Sequence, residues 1–418
     1  MRYGLIGEKL SHSFSKIIHE TLASYQYDLI PLSKEEFKQF MEDKNFTALN
    51  VTIPYKQAVI PYLDEIDDAA NAIHAVNTIV HKNGKLIGHN TDFGGFLYML
   101  EKHHIEIKDK DVLVLGNGGA AKAIIAALKH LSAKQIIIVN RHATNGAISY
   151  EEAYQNNPNV DVIVNTTPVG MYPDNDGCVI DLNQFHNLSA VVDIVYNPLL
   201  TKICQNAKTK HIPYVCGLEM LVAQAKLSIE YFLDTKLDDQ CIDDMYQTLL
   251  KKQCNLVLIG MPSCGKSTIA KIISEKLQKE YIDLDEEISK HANKSIPDIF
   301  AQDGEAHFRD LETEVIKATA KLSNKIIATG GGAILRKENM DALAQNAHII
   351  YLQRDLALLT QVDKNRPLLK DPSAIHRLYE QRKERYELYA DEIITNNQDA
   401  MTCADDIVAR FKNQYLSL

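Results

Sequence analysis

The stretch NLVLIGMPSCGKST, residues 255–268, determines the fold of the C-terminal part of the chain. Its apolar beginning is typical of a buried strand, and it leads into the pattern G-x-x-x-x-G-K-S between Gly260 and Ser267. Such a loop between a strand and a helix surrounds phosphates with backbone amides, while the lysine reaches the terminal phosphates and the hydroxyl binds Mg²⁺. We therefore predict a P-loop site for ATP and Mg²⁺. The residues predicted to bind the nucleotide are Ser263, Cys264, Gly265, Lys266, Ser267 and Thr268.

A second glycine loop, in VLVLGNGGAA (112–121), belongs to a different class. It follows a predicted strand over 112–115, opens a predicted helix over 119–131 and matches G-x-G-x-x-A. Glycine allows the tight turn and the close approach of a pyrophosphate, which the helix N-terminus then favours electrostatically. A plain tight turn between strand and helix is the alternative interpretation. The residues predicted to bind a dinucleotide here are Gly116, Gly118, Gly119 and Ala120.

The strand predicted over 135–139 ends in Asn140-Arg141-His142. NAD-binding proteins place an acidic side chain at this point, whereas an arginine suits the 2′-phosphate of NADP. The sequence therefore favours NADP, with Asn140 and Arg141 beside the adenosine ribose. An arginine that only faces solvent is the alternative.

The composition is that of an ordinary globular protein, with 45% hydrophobic and 24% charged residues. Lys and Arg number 45 and Asp and Glu 55, so the net charge of −10 argues against general nucleic-acid or anionic-membrane binding. The chain shows no secretory signal and no apolar run of about 18 residues, so we expect a cytoplasmic protein. Seven cysteines without C-x-x-C spacing indicate reduced thiols. The expected partners are small molecules, and the protein is either a monomer or a homodimer.

Strand-like runs alternate with amphipathic helical stretches, which predicts an α/β protein with parallel sheets. At about 150 residues per domain, the length predicts roughly three units. We expect a first domain over 1–100 (completed by a helix at about 217–235), a dinucleotide-binding domain over 101–216, a linker helix over 236–253 and a P-loop domain over 254–418. Strands are predicted over 2–6, 27–30, 47–51, 75–80, 86–89, 135–139, 161–165, 191–195, 281–283, 325–328 and 347–351.

Three polar clusters precede the dinucleotide loop, at 11–15, at 50–56 and at 77–78 together with 90–92. Their hydroxyls and amides suit a small hydroxylated ligand, Lys56 can pair with a carboxylate or move a proton, and Asp92 can hold Lys56. Taken alone, a lysine and an aspartate so far apart in sequence are more often separate surface charges.

The strings GLIG-x-x-L-SHS-x-S, NVT-I-P-Y-K, AVNT, GHNTD, GNGGAA, VNR, NTTPVGM, DIVYNP and GLEMLVAQA resemble, in this order, the motifs of shikimate dehydrogenases over residues 1 to about 235. The resemblance implies a substrate domain, a Rossmann NADP domain and a helix returning to the first domain. It also implies reduction of 3-dehydroshikimate with NADPH by the catalytic pair Lys56 and Asp92, and which of the two transfers the proton stays open. The residues implied to contact the ring acid are Ser13, Ser15, Thr52, Asn77, Tyr196 and Gln224, and those implied to contact the cofactor include Ile194 and Gly217.

Residues 253–418 resemble shikimate kinases through the P-loop, Asp283-Leu-Asp285, the run from Ile299 to Glu312, the triple glycine 330–332, Arg366-Pro-Leu-Leu and Arg385-x-x-Leu-Tyr389. The resemblance implies that Asp285 accepts the proton of the attacking hydroxyl, that Asp283 supports Mg²⁺ through its water shell, and that Lys266 assists transfer. It implies that Arg366 closes over ATP. The residues implied to bind the ring acid are Asp285, Arg309, Gly331, Gly332 and Arg385.

Together these features predict a bifunctional enzyme that converts 3-dehydroshikimate to shikimate and then to shikimate 3-phosphate. One alternative keeps both folds but changes the substrates, to quinate for the dehydrogenase and another small polyol for the kinase. A non-catalytic ligand sensor or scaffold is the other.

Overall fold

The computed structural model describes residues 2–10, 13–143, 146–359 and 372–416. The chain divides into two compact units, Met1–Tyr246 and Gln247–Leu418. Two β-sheets lie in the first unit and one lies in the second. The predicted α/β class with parallel sheets is confirmed.

The first sheet of the N-terminal unit is mixed and has six strands. They are β1 (Tyr3–Gly7), β2 (Tyr27–Pro31), β3 (Ala48–Val51), β4 (Glu65–Ile66), β5 (Thr78–Lys82) and β6 (Lys85–His89), in the spatial order β2-β1-β3-β5-β6-β4. β1 pairs in parallel with β2 and β3, whereas β5 and β6 form an antiparallel hairpin whose turn holds Asn83 and Gly84 at positive φ. That hairpin is the one that the Asn-Gly pair predicts.

The second sheet is entirely parallel. Its strands are β7 (Asp111–Leu115), β8 (Gln135–Val139), β9 (Val162–Asn165), β10 (Ala190–Asp193) and β11 (Tyr214–Cys216), in the order β11-β10-β9-β7-β8. The strand order reverses between β7 and β9, and ligands of such sheets bind outside the carboxyl ends of the strands at that point. The predicted dinucleotide loop follows β7 directly.

Helices cover both sheets of the N-terminal unit. They are α1 (Ser15–Leu22), α2 (Lys34–Asp43), α3 (Asp68–Ile73), α4 (Thr91–Lys102), α5 (Gly119–His130), α6 (Tyr150–Asn156), α7 (Lys202–Thr209) and α8 (Leu218–Leu233). The next helix, α9 (Gln240–Gln253), contains the boundary between the two units. α8 begins directly after β11 of the second sheet, yet it packs along α4 and also contacts α1 and β5. Side chains of α8 therefore reach the carboxyl ends of the first sheet.

The C-terminal unit is a parallel sheet flanked by helices. Its strands are β12 (Asn255–Ile259), β13 (Glu280–Asp283), β14 (Lys325–Ala328), β15 (Ala347–Gln353) and β16 (Glu392–Thr395), in the order β13-β14-β12-β15-β16. Its helices are α10 (Lys266–Leu277), α11 (Leu284–Ala292), α12 (Ile296–Gln302), α13 (Gly304–Ala320), α14 (Lys337–Ala344), α15 (Leu356–Leu359), α16 (Pro372–Tyr389) and α17 (Ala400–Leu416). Every residue of β12 is buried, as its apolar run predicts for a central parallel strand.

Some predicted elements need correction. The strand predicted over 75–80 starts only at Thr78, because the amides of Val76 and Asn77 bond to two different segments, at Lys56 O and His89 O. The short strands β4, β11 and β16 show no clear alternation of apolar and polar residues, and the sequence analysis does not predict them. No helix in the described ranges combines the length and the apolar character that a bilayer crossing requires.

His19 of α1 is buried in an aromatic cluster of the N-terminal unit. Its ring stacks on Tyr27, with 4.0 Å between ring centroids, and its Nδ1 lies 2.7 Å from the Tyr25 hydroxyl. Burial lowers the pKa of His19 from 6.5 to about 3, so the folded protein holds this imidazole neutral.

We expect acid to destabilise the N-terminal unit through His19. The unfolded imidazole takes up a proton below pH 6.5 and the folded one only near pH 3, so stability falls as the pH falls through this window. Between pH 7 and pH 5 the loss in the free energy of unfolding is on the order of 2 kcal/mol. Urea unfolding at pH 7, 6 and 5, followed by hydrogen exchange of peptides from 15–31, measures it. His19→Phe should flatten this slope and the exposed control His186→Phe should not; equal slopes in both variants would contradict the assignment.

Candidate active sites

In the N-terminal unit the structure brings Lys56 and Asp92 together. Lys56 lies in the turn that follows β3, and Asp92 lies in the first turn of α4, whose N-terminus is capped by the Asn90 side chain. Lys56 Nζ donates to Asp92 Oδ2 over 2.5 Å, and the two side chains are only 14% and 10% exposed. A buried ion pair in a cleft is a candidate for proton transfer.

Asn77 supports the second oxygen of this carboxylate. Its Nδ2 donates to Asp92 Oδ1 over 2.9 Å, while its Oδ1 accepts the backbone N–H of Thr91 over 2.8 Å. Each oxygen of Asp92 therefore accepts a hydrogen bond, which fixes the orientation of the carboxylate.

The other residues predicted to contact a ring acid lie on elements around this pair. Ser13 Oγ donates to Ser15 Oγ over 3.0 Å. The ring of Tyr196 packs against Phe14, the residue between these two serines, with 5.5 Å between ring centroids. Thr52 O accepts the amide of Tyr55, in the same turn as Lys56. Gln224 Oε1 accepts from Thr91 Oγ1 over 3.3 Å. Ser11 and His12 of the same cluster lie outside the described residues.

The dinucleotide loop lies beside Lys56. Gly116 has φ +100°, and a Cβ there would meet Thr166 Oγ1 at 2.9 Å, so glycine is required. A Cβ on Gly118 would meet no atom within 4 Å, so this side of the loop is open. A Cβ on Gly119, at the start of α5 before Ala120, would lie 3.8 Å from Lys56 Cβ and Cδ. The loop and the Lys56–Asp92 pair therefore face one cleft.

The remaining dinucleotide residues lie at the carboxyl ends of β8, β10 and β11. Arg141 is exposed, and its backbone N–H donates to Asn140 Oδ1 over 2.8 Å, which turns the chain at the end of β8. Gly217 packs so closely on Ile194 that a Cβ would lie 2.1 Å from its carbonyl oxygen.

Asp193, which sequence reasoning missed, anchors the segment that carries Ile194 and Tyr196. It is fully buried and accepts hydrogen bonds from Asn165 Nδ2 (3.0 Å), Val195 N (3.0 Å) and Thr201 Oγ1 (2.6 Å). Burial raises the pKa of Asp193 to about 6, against the effect of these donors. Its signal in the sequence was its place at the start of the string DIVYNP.

In the C-terminal unit the P-loop connects β12 to α10, as predicted. Lys266 is buried, and its Nζ donates to the carbonyl oxygens of Gly260 and Met261 over 2.9 Å each, so the ammonium lies inside the loop. Gly265 has φ +98°. The buried Cys264 contributes its carbonyl oxygen to a bond with Asn396 Nδ2 (2.7 Å), which holds the loop to the end of β16.

Ser267 and Asp283 fit a magnesium site. Ser267 Oγ donates to Asp283 Oδ2 over 2.7 Å, and hard oxygen ligands of this kind are those that Mg²⁺ prefers. Tyr281, which the sequence analysis did not single out, donates its hydroxyl to the same carboxylate oxygen over 2.8 Å. Asp283 Oδ1 accepts the amide of Asp285 at the start of α11. Thr268 is the next residue of α10 after Ser267.

The triple glycine faces a cluster of charged side chains. A Cβ on Gly330 would lie 2.7 Å from Asp285 Oδ1, and one on Gly332 only 2.2 Å from Arg309 Nη1. Arg309 Nη1 in turn donates to Glu312 Oε2 over 2.7 Å, with both side chains buried. Burial raises the pKa of Glu312, and Arg309 beside it opposes that shift. Because glycine has no side chain, a ligand at this segment can approach both the Asp285 carboxylate and the Arg309 guanidinium.

Arg382 and Arg385 of α16 differ in position. Arg385 is exposed and donates to Leu335 O over 2.9 Å. Arg382 is 4% exposed and donates to Gly331 O over 2.8 Å, and Tyr386 donates to the same oxygen over 2.6 Å. Within the described residues, the buried Nε atoms of Arg309 and Arg382 have no hydrogen-bond partner. The structure therefore brings Arg382 to the glycine segment, and the role predicted for Arg385 stays a prediction. Arg366 lies outside the described residues.

Comparison with known proteins identifies both units. The substrate-binding domain model of shikimate dehydrogenases matches residues 5–79. A shikimate dehydrogenase (NADP(+)) of Clostridium beijerinckii is 39% identical over 259 residues, which are 58% of this chain and 96% of that protein. The chain belongs to the shikimate dehydrogenase family. Over its C-terminal unit the shikimate kinase model matches residues 262–412, so the chain also carries a shikimate kinase domain and is an enzyme.

Solved structures support the fold of the dehydrogenase part. A chorismate mutase/shikimate 5-dehydrogenase fusion protein from Clostridium acetobutylicum is 39% identical, with a TM-score of 0.56 over 59% of this chain and 96% of that one. A shikimate 5-dehydrogenase from Thermus thermophilus, in complex with NADP(H) and shikimate, is 29% identical, with a TM-score of 0.54 over 59% of this chain and 99% of that one.

Proposed function

We propose that the chain is a bifunctional enzyme of aromatic biosynthesis. Its dehydrogenase part reduces 3-dehydroshikimate to shikimate with NADPH, and its kinase domain phosphorylates shikimate to shikimate 3-phosphate with ATP. The observation that carries this proposal is the presence of two separate clusters of charged side chains, each near its own glycine loop. Lys56 and Asp92 lie beside the dinucleotide loop. Arg309 and Asp285 lie beside the glycine segment 330–332, whose Gly331 packs against Pro262 of the P-loop.

For the reduction, Lys56 is the group that delivers the proton. NADPH supplies the hydride, and addition of a hydride to a carbonyl leaves an alkoxide that must be protonated. Both oxygens of Asp92 accept hydrogen bonds, from Lys56 and Asn77, so Asp92 acts as the partner that holds the Lys56 side chain in place. The ammonium then lies where negative charge develops.

Arg141 and the dinucleotide loop supply the cofactor contacts. The arginine is exposed at the end of β8, where a guanidinium can bind a 2′-phosphate, and the open face of Gly118 leaves room for a pyrophosphate against the amides of α5. The name of the Clostridium beijerinckii relative specifies NADP(+), which supports the same choice.

For the phosphorylation, Asp285 accepts the proton of the attacking hydroxyl and Lys266 stabilises the transferred phosphoryl group. Ser267 and Asp283 would hold Mg²⁺, which would supply positive charge to neutralise the phosphates. Tyr281 fixes the Asp283 carboxylate for this task through its hydroxyl.

We assign Arg309 and Arg382 as the arginines that bind the ring carboxylate. Each carries a buried, unpartnered Nε among the described residues, and both contact the glycine segment 330–332. A guanidinium with free N–H groups in a water-poor pocket forms strong charge-assisted bonds to a carboxylate. A buried N–H group without an acceptor costs free energy, and a bound carboxylate would provide that acceptor.

A coupled assay tests the bifunctional assignment. With 3-dehydroshikimate, NADPH, ATP and Mg²⁺, we expect one ADP for each NADPH oxidised, and a product with the mass of shikimate 3-phosphate. Lys56→Met should lower NADPH oxidation by at least about 100-fold and leave ADP formation from added shikimate unchanged. Faster turnover of quinate than of shikimate would favour the alternative substrates, and turnover of neither ring acid would contradict the proposal.

Gly118→Ala separates cofactor binding from folding. The backbone of Gly118 is extended (φ −85°), and its Cβ would enter open space, so the free energy of unfolding should change by less than about 0.5 kcal/mol. The methyl group would occupy the space of the pyrophosphate, so we expect the Kd for NADPH to rise about tenfold, which is about 1.4 kcal/mol. NADPH fluorescence titration measures the Kd, with ATP affinity as the internal control. Unchanged NADPH affinity would show that the loop does not hold the cofactor there.

Substitution of each α16 arginine decides which one binds the carboxylate. Arg382→Met should raise the KM for shikimate by about tenfold or more and leave the KM for ATP within about twofold, since a charge-assisted pair contributes about 1.5–3 kcal/mol. Arg385→Met should change neither value by more than about twofold. Steady-state kinetics measure the KM values for shikimate and ATP. Arg382→Lys keeps the positive charge but lacks the guanidinium with its paired donors, so a raised KM for shikimate in this variant would show that the guanidinium, rather than folding, is responsible. A raised KM for shikimate in Arg385→Met, with an unchanged value in Arg382→Met, would show instead that Arg385 binds the carboxylate, as the sequence predicts.

A further inference from the structure

Ser228, in the middle of the apolar helix α8, places a hydroxyl among polar side chains of three other elements. The side chain is fully buried, and Ser228 Oγ lies 2.7 Å from Asn50 Nδ2, 2.8 Å from Thr78 Oγ1 and 3.3 Å from Thr91 Oγ1. These partners belong to the end of β3, the start of β5 and the start of α4. A helix that follows the second sheet thus supplies a donor to the polar end of the first.

The directions of the hydrogen bonds follow from the number of hydrogens. The Thr78 hydroxyl has one hydrogen, which it donates to Asn77 Oδ1 over 3.0 Å. Asn50 Nδ2 can only donate, so it gives a hydrogen to Ser228 Oγ. The arrangement that uses each hydrogen once therefore has Ser228 donating to the Thr78 oxygen, and Thr78 donating onward to Asn77.

This chain fixes which way the Asn77 amide faces. Its Oδ1 accepts from Thr78 Oγ1 and from the backbone N–H of Thr91, so its Nδ2 is directed at Asp92 Oδ1, 2.9 Å away. A reversed amide would put a carbonyl oxygen against the carboxylate and leave buried donors unpaired, which costs about 1–3 kcal/mol per group. Asp92 in turn holds Lys56.

We propose that Ser228 is a positioning residue of the dehydrogenase, acting through Thr78 and Asn77 on the Lys56–Asp92 pair. The inference rests on the proposed function, since it concerns the geometry of the proton-delivering lysine. Ser228 contacts none of the reacting groups itself. Its effect is to keep one amide in the orientation that Asp92 requires.

The test compares Ser228→Ala, Thr78→Val and the double variant in the dehydrogenase reaction. Each single variant should lower kcat by about 3- to 20-fold, with KM for 3-dehydroshikimate within about twofold, since each interrupts the buried hydrogen-bond path to Asn77. The pH profile of kcat should shift on the limb that reports the Lys56–Asp92 pair. The double variant should lose no more than the larger single loss, because both substitutions interrupt one path. Ser228→Thr, which keeps the hydroxyl, should recover kcat and the wild-type pH profile.

Ile229→Val is the matched control, because Ile229 is the fully buried neighbour of Ser228 on α8. It should leave kcat within about twofold and the pH profile unchanged, while the kinase activity of every variant stays at the wild-type level. A wild-type pH profile in Ser228→Ala, additive losses in the double variant, or an equal loss in Ile229→Val would overturn the positioning role. Absence of dehydrogenase turnover in the wild type would instead contradict the proposed function, and the inference with it.

Discussion

Paired charges buried beside glycine loops are the constraint on which both sites depend. Lys56 with Asp92 and Arg309 with Glu312 lie almost out of solvent. Removing a charge from water costs several kcal/mol, which only good geometry and additional hydrogen bonds offset. Asn77 supplies such a bond to Asp92. In the Arg309 pair one donor is left without a partner among the described residues, so that pair is complete only with a ligand.

The two units reach this arrangement by the same route. In each, a buried parallel strand ends at a glycine loop, and the loop opens a helix whose first amides point toward the ligand. Gly116 and Gly265 adopt positive φ where other residues would be strained. The charged side chains come from other elements, since Lys56 follows β3 and Asp92 lies in the first turn of α4, whereas both members of the Arg309 pair lie on α13. The topology of the parallel sheets therefore places the phosphate-binding loops, and the elements packed beside those sheets supply the charge pairs.

The sequence predicts the parts of this arrangement that are local. Both glycine loops, the Asn-Gly hairpin and most of the longer strands follow from short patterns, because turn chemistry and burial act over a few residues. The choice between Arg382 and Arg385 does not, because residues three apart on one helix differ by about 60° in direction, and which face is buried depends on its packing. Ser228 is still harder to predict, since it lies 178 residues from its partner Asn50.

The residues of the dehydrogenase site all precede Tyr246, and those of the kinase site all follow Gln247. Among the described residues, each unit therefore contains its own nucleotide loop and its own charge pair, and the contacts proposed for a ring acid come from within that unit. Because each molecule carries one dehydrogenase part and one kinase domain, the cell always contains the two in equal numbers. In the proposed function, the product of the first site is the substrate of the second.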